Sequence, residues 1–236
     1  MILADTMAAV EREATSRTAA ARANFDRFCR RENISIANEP SGPGAVTAAW
    51  REETGDEFDR LTAVARYHDI VVLPGARDRI GGLPVEAAGE VIMGGGRAVL
   101  LASDEFSKGP FNRIAIAWKD CPEAARAVNA AMPLLEAAHQ IDVLSVCEAD
   151  ERAAEYCKTL DDLVRYLRWH GLSAHTQFMV PEGRTPADAV LDHAKHDAAD
   201  LLVMGAYGHS RMREFIFGGF TERVLKGVDL PVLLFH

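Results

Sequence analysis

The stretch "MGAYGHSRMREFIFGGFTE", residues 204–222, decides how this chain is read. Gly205, Gly208 and Gly218 stand at G-x2-G-x9-G spacing, and Gly219 follows at once. The apolar run "DLLVMG" leads into the stretch, "GFTERVLKG" leaves it with helical spacing, and "PVLLF" comes after. The glycines therefore lie between a strand and a helix. Gly205 and Gly208 let the chain turn tightly with its amides exposed. Gly218 and Gly219 open the helix, where free N–H groups and the positive dipole end suit an anion such as phosphate. His209, Arg211 and Arg213 in the connecting segment add positive charge. The chain has no G-x4-G-K-[ST] loop, so phosphate-loop chemistry is not indicated.

Upstream, the second half alternates strands and helices. "RIAIAW" (113–118) and "IDVLSV" (141–146) are short apolar runs that read as buried strands. Between them "PEAARAVNAAMPLLEAA" is Ala-rich with apolar residues at helical spacing. Residues 151–170 form a helix with Tyr156, Leu160, Leu163, Val164 and Leu167 on one face, stopped by Gly171. "SAHTQFMV" is a third strand, and "TPADAVLDHAKH" a third helix with Pro186 in its first turn. Strands separated by helices of this size imply a parallel sheet with right-handed crossovers.

The first half repeats the later part of this pattern. "DIVVLPG" (69–75) matches "DLLVMGA" (200–206), "EFDRLTAVARYH" matches the third helix, and "VEAAGEVIMGGG" with "RAVLLA" matches the last helix and strand. "VTAAWREE" (46–53) alternates as a third strand does, and the Ala-rich segment from Met7 to about Arg31 matches the second helix. Nothing matches the first strand, first helix and second strand. The expectation is a first half, residues 1–104, incomplete at its front, and a complete half, residues 111–236, joined by the polar "SDEFSKGPFN". Either the matching front precedes Met1 or the first half is a reduced copy. The register of the repeat favours the former.

Bulk composition narrows the partners. Net charge is −9, with 13 basic and 17 acidic side chains in residues 1–110 and 13 and 18 in residues 111–236. Neither half carries a basic block, so nucleic acid and anionic membranes are not expected as partners. Cys29, Cys121, Cys147 and Cys157 form no C-x-x-C pair, and reduced thiols in a cytoplasm are the simpler reading. No apolar run of about 18 residues indicates a spanning helix, and the opening "MILADTMAAVEREA" is unlike a secretory signal.

The second half resembles the universal stress protein family throughout, most tellingly in "MGAYGHSRMREFIFGGFTERVL" followed by "DLPVLLF". The first half resembles a diverged, partial second copy. The resemblance implies an α/β fold of two such halves, each an open parallel doubly wound sheet, with strand order 3-2-1-4-5 in the second half. It implies their packing as a pseudo-twofold pair, with "RAVLLA" beside "PVLLF". In one branch of the family it implies ATP binding, with Gly205, Gly208, Gly218, Gly219 and Phe220 along phosphates and ribose, largely through backbone. Two residues depart from the nucleotide-binding pattern. Gly219 stands where that pattern has a hydroxyl, and Thr221, two residues on, points elsewhere on a helix. Lys119, followed by Asp120, stands where the family has a nucleotide-contacting Asp. A lysine meets phosphate but cannot accept from ribose hydroxyls. The first half has no G-x2-G-x9-G, and no nucleotide is expected there.

Other candidates read as structure. His193 and His196, with Asp192 and Asp197 near, share a helix turn, but zinc needs further ligands from elsewhere, so a solvated face is the better reading and no metal is expected. Cys121 beside Lys119 is either a thiolate-prone cysteine or, more simply, a small helix-start residue. No Ser-His-Asp set and no paired carboxylates at a motif spacing can be named, so catalysis is not read from the sequence. The expected function is a stress-response or signalling module that takes ATP or a related nucleotide in its second half. The alternatives are an interaction protein without nucleotide and, more weakly, a slow ATP hydrolase. A protein partner and self-association as a homodimer are expected.

Overall fold

The structure is a computed structural model and describes residues 2–39, 42, 44–75, 85–103, 109–147, 153–181, 183–208, 219–227 and 229–236. The chain divides into two compact units, Met1–Thr54 and Gly55–His236. The first holds α1 (Ile2–Arg31), β1 (Ser35–Ile36) and β2 (Thr47–Ala48). β1 and β2 pair in parallel as a sheet of their own. Phe25 and Trp50 rings lie 5.5 Å apart, with the Arg22 guanidinium over both. The expected strand over 46–53 is thus reduced to two residues. Beyond them the polar groups turn inward on the local chain: Trp50 Nε1 donates to Glu52, and Arg51 pairs with Glu53.

The second unit holds α2 (Glu57–Ala65), β3 (Ile70–Pro74), α3 (Val85–Gly94), β4 (Ala98–Ala102), β5 (Arg113–Ala117), α4 (Pro122–Ala137), β6 (Gln140–Val146), α5 (Ala153–Trp169), β7 (His175–Met179), α6 (Pro186–His196), β8 (Leu201–Gly205), α7 (Gly219–Leu225) and β9 (Val232–Phe235). Helix starts follow the sequence signals. Asp56 caps α2 by accepting from the Phe58 and Asp59 amides, and Thr185 caps α6 ahead of Pro186.

One seven-stranded sheet runs β3-β4-β9-β8-β5-β6-β7. The five strands of the second half are all parallel and stand in the expected order, β7-β6-β5-β8-β9 being 3-2-1-4-5. β4 lies beside β9 as expected and runs antiparallel to it, with Val99 opposite Leu234, Leu100 opposite Leu233 and Leu101 opposite Val232. The expectation that the first half forms an open doubly wound sheet of its own is corrected here: it supplies only the parallel pair β3 and β4. The two apolar edges meet, and β3 and β4 extend the sheet of the second half. An apolar edge left open invites another strand, and this joint satisfies both edges at once.

β8 is buried on both faces, as its unbroken apolar run requires. Leu202 and Met204 join a core with Ala115, Leu144, Val224, Leu225, Val232 and Leu234. Leu201 and Val203 join the opposite core with Ile114, Ile116, Leu135, Leu163, Leu167 and Leu233. Each such leucine contributes about 1.5–3 kcal/mol by burial. At the opposite end of the strands from the glycine stretch, Asp200 Oδ2 accepts from the Asn112 and Arg113 amides at 2.8 and 2.9 Å. This fixes the start of β5 against β8.

Candidate functional site

β5 and β8 are neighbours, but their chains leave toward different parts of the fold. β5 continues through α4 to β6 on one side, and β8 continues through α7 to β9 on the other. A crevice at the carboxyl ends of strands at such a switch point is where open α/β sheets hold ligands. The glycine stretch begins there.

Gly205 is the last residue of β8. A Cβ on it would lie 2.6 Å from Ala124 N and 2.8 Å from the Glu123 carbonyl carbon. Only glycine allows the strand end to press against the first turn of α4. Ala206 N–H then donates to Phe235 O at 2.8 Å. Tyr207 takes a left-handed backbone, φ 58°, which costs a residue with a Cβ about 1–2 kcal/mol. Its amide donates to Thr221 Oγ1 at 3.4 Å, so both ends of the glycine loop come together. Thr221 is buried at 3% and serves the loop internally, consistent with its pointing away from the position after Gly218. Gly208 is exposed, its Cβ direction reaching Glu123 Oε2 at 4.0 Å. Gly219, the first residue of α7, is exposed with open space around a Cβ, and Phe220 is half-buried against the core. Lys119 is exposed in the β5–α4 connection, two residues before Cys121, which caps α4. Gly218, Arg211, His209 and Arg213 lie outside the described residues.

Three residues join this edge that the sequence reading did not place there. Glu123 is 1% exposed in the first turn of α4, and Arg126 Nη2 pairs with its Oε1 at 3.3 Å. Its signal was the Glu-x2-Arg spacing at the helix start. Tyr207 is pushed up to about 12 by burial of its hydroxyl. His236 packs edge-on to the Tyr207 ring, centroids 6.2 Å apart. No spacing in the sequence announces these two.

Cys121 stands at the N-cap of α4 with no side-chain capping bond, the helix-start role. Burial pushes its thiol up, and Glu123 adds to this. The Ala124 amide and Lys119 act in the other direction without reversing it. Lys119 therefore does not make it a thiolate. Cys157 is exposed, while Cys29 and Cys147 are buried. Iodoacetamide at neutral pH is expected to label Cys157 first and Cys121 more slowly than an ordinary exposed thiol, since the thiolate is the nucleophile. Peptide mass spectrometry over time checks the order. On α6, His193 Nε2 meets Asp197 Oδ2 at 3.2 Å. Among the described residues no group of three or more His, Cys, Asp or Glu could hold a metal. Nor, among them, is any helix long and apolar enough to cross a membrane.

Sheet order and the glycine turn at the switch point together define a doubly wound α/β protein. The family model for the "Universal stress protein family" matches residues 110–236, more than half of the chain, and the chain belongs to that family. A universal stress protein of Synechocystis sp., Slr1230, is 44% identical over 49 residues, which is 21% of this chain and 17% of that protein. One of Methanocaldococcus jannaschii, MJ0531, is 36% identical over 64 residues, 27% of this chain and 36% of that one. The chain thus matches well under half the length of these relatives. In fold, it is similar to a universal stress protein of Archaeoglobus fulgidus, with TM-score 0.64 at 18% identity over 81% of this chain and 71% of the other.

Proposed function

We propose that residues 111–236 bind ATP or a related nucleotide at the carboxyl edge of β5 and β8, and that occupancy governs contacts with a protein partner in the cytoplasm. The observation that carries this reading is the turn after β8. It sits at the switch point, closes on itself through Tyr207 and Thr221, and leaves Gly208 and Gly219 exposed. Amides around Gly208, Gly218 and Gly219 would meet the phosphates, with Arg211 and Lys119 adding charge. Phe220 lies next to them. The first half, residues 1–104, is read as a diverged companion copy, and β4 within it pairs with β9. No catalytic role is assigned to any residue.

The test is calorimetric titration at about 1 mM ATP, where even weak sites show occupancy. Native protein is expected to give heat. Gly219→Leu is expected to abolish it while keeping the melting temperature, because a side chain there meets open space in the fold. No heat from native protein defeats the proposal.

One observation favours the second reading, an interaction protein without nucleotide. Close packing on α4 is by itself a sufficient reason for glycine at Gly205. The same titration separates the two readings.

A further inference from the structure

We infer that His236 is a positioning residue that holds the single peptide group through which the chain enters the glycine loop. The Ala206 carbonyl and the Tyr207 N–H belong to one planar peptide unit. His236 Nδ1 lies 3.2 Å from Ala206 O, and Tyr207 N–H donates to Thr221 Oγ1. The unit is clamped at both ends. Ala206 O can only accept, so Nδ1 carries the proton in this contact.

The clamp is anchored on α4, across from the turn that follows β8. Arg126 Nε donates to the main-chain oxygen of His236 at 2.9 Å, and Arg126 Nη2 reaches the buried Glu123. His236 therefore joins α4, which follows β5, to the turn that follows β8. The Phe235 carbonyl takes the Ala206 amide, so two successive residues grip the same turn. The grip has a purpose visible in the backbone. Tyr207 holds φ 58°, and such strain persists only where surrounding structure over-determines it. Rotation of the 206–207 peptide would relieve it. The His236 bond opposes that rotation at the carbonyl and Thr221 opposes it at the amide. The direction in which Gly208 leaves the strand is set by this plane.

The functional half of this inference rests on the nucleotide reading. The structural half does not. The experiment compares His236→Ala, His236→Asn and His236→Gln by amide hydrogen exchange at Tyr207 and by ATP titration. An asparagine Nδ2 sits near the place of His Nδ1, whereas a glutamine Nε2 sits near the place of the other ring nitrogen. Alanine and glutamine are expected to speed exchange at Tyr207 about tenfold and weaken ATP about tenfold, the loss of one modest hydrogen bond. Asparagine is expected to restore both. A general loss of stability would instead move exchange across the whole sheet and would not distinguish asparagine from glutamine. Unchanged Tyr207 exchange in His236→Ala, or equal rescue by both amides, overturns the clamp. If native protein takes up no ATP, the nucleotide reading alone falls, and the exchange comparison still decides the clamp.

Discussion

Lysine in place of Leu233 is expected to abolish cooperative folding of the 55–236 unit. Leu233 is fully buried in β9, opposite Leu100 of β4 and Val203 of β8. It packs into the core formed with Ile114, Ile116 and Leu135. Losing the leucine costs about 2–5 kcal/mol. An ammonium group in its place has no carboxylate within that apolar core, and its burial costs several kcal/mol more. The sum is comparable to the whole stability of an ordinary domain, about 5–15 kcal/mol. Urea titration followed by circular dichroism should show no folded baseline, or a midpoint near zero urea. Val72→Lys is the matching control. Val72 is 62% exposed on β3, at the end of the sheet, and its change should lie within about 0.5 kcal/mol of native. If the Leu233 variant folds normally, β9 is not the interior strand described here.

Gly205→Val is expected to cost about 3 kcal/mol, the upper end for overpacking. The atoms a Cβ would meet are the Ala124 amide nitrogen and the Glu123 carbonyl carbon, both backbone. Neither can rotate aside as a side chain can. Either α4 shifts along its first turn or the end of β8 peels from β5. Both routes also move Glu123 and the turn at Tyr207. On the proposed nucleotide reading, the variant should therefore lose ATP heat and melting temperature together, whereas Gly219→Leu should lose heat alone. Thermal melts beside titrations separate them. A Gly205→Val protein with native melting temperature would show that the contact with α4 is absent.

The order of the second half was legible through the family resemblance, and its central strands β5, β8 and β9 through their buried apolar runs. "RIAIAW", "DLLVMG" and "PVLLF" leave no polar face on which another assignment could rest. The β4–β9 joint was legible for a related reason, two apolar edges of similar sequence. The open doubly wound sheet expected of the first half was not found, because that half contributes only β3 and β4 to the sheet. The strand over 46–53 was over-read. Its alternation is real, but only Thr47 and Ala48 find a partner strand, the two-residue β1. At the site, the glycine positions were visible and their reasons were not. Gly205 is explained by Ala124, which only the fold brings near. Tyr207 carries its positive φ without a glycine to announce it, and His236 reaches the site only because β9 lies beside β8.

The antiparallel joint also gives the sheet a polarity that changes partway across. β3 and β4 point one way, and β9, β8, β5, β6 and β7 point the other. The carboxyl ends of the first pair therefore share a rim with the amino ends of the other five, where Asp200 ties β8 to β5. The glycine turn opens on the opposite rim, a strand length of roughly 16 Å away for five residues. Visitors to the two rims approach from opposite directions and do not compete for space. β4, β9 and β8 run between the two rims and are buried along nearly their whole length.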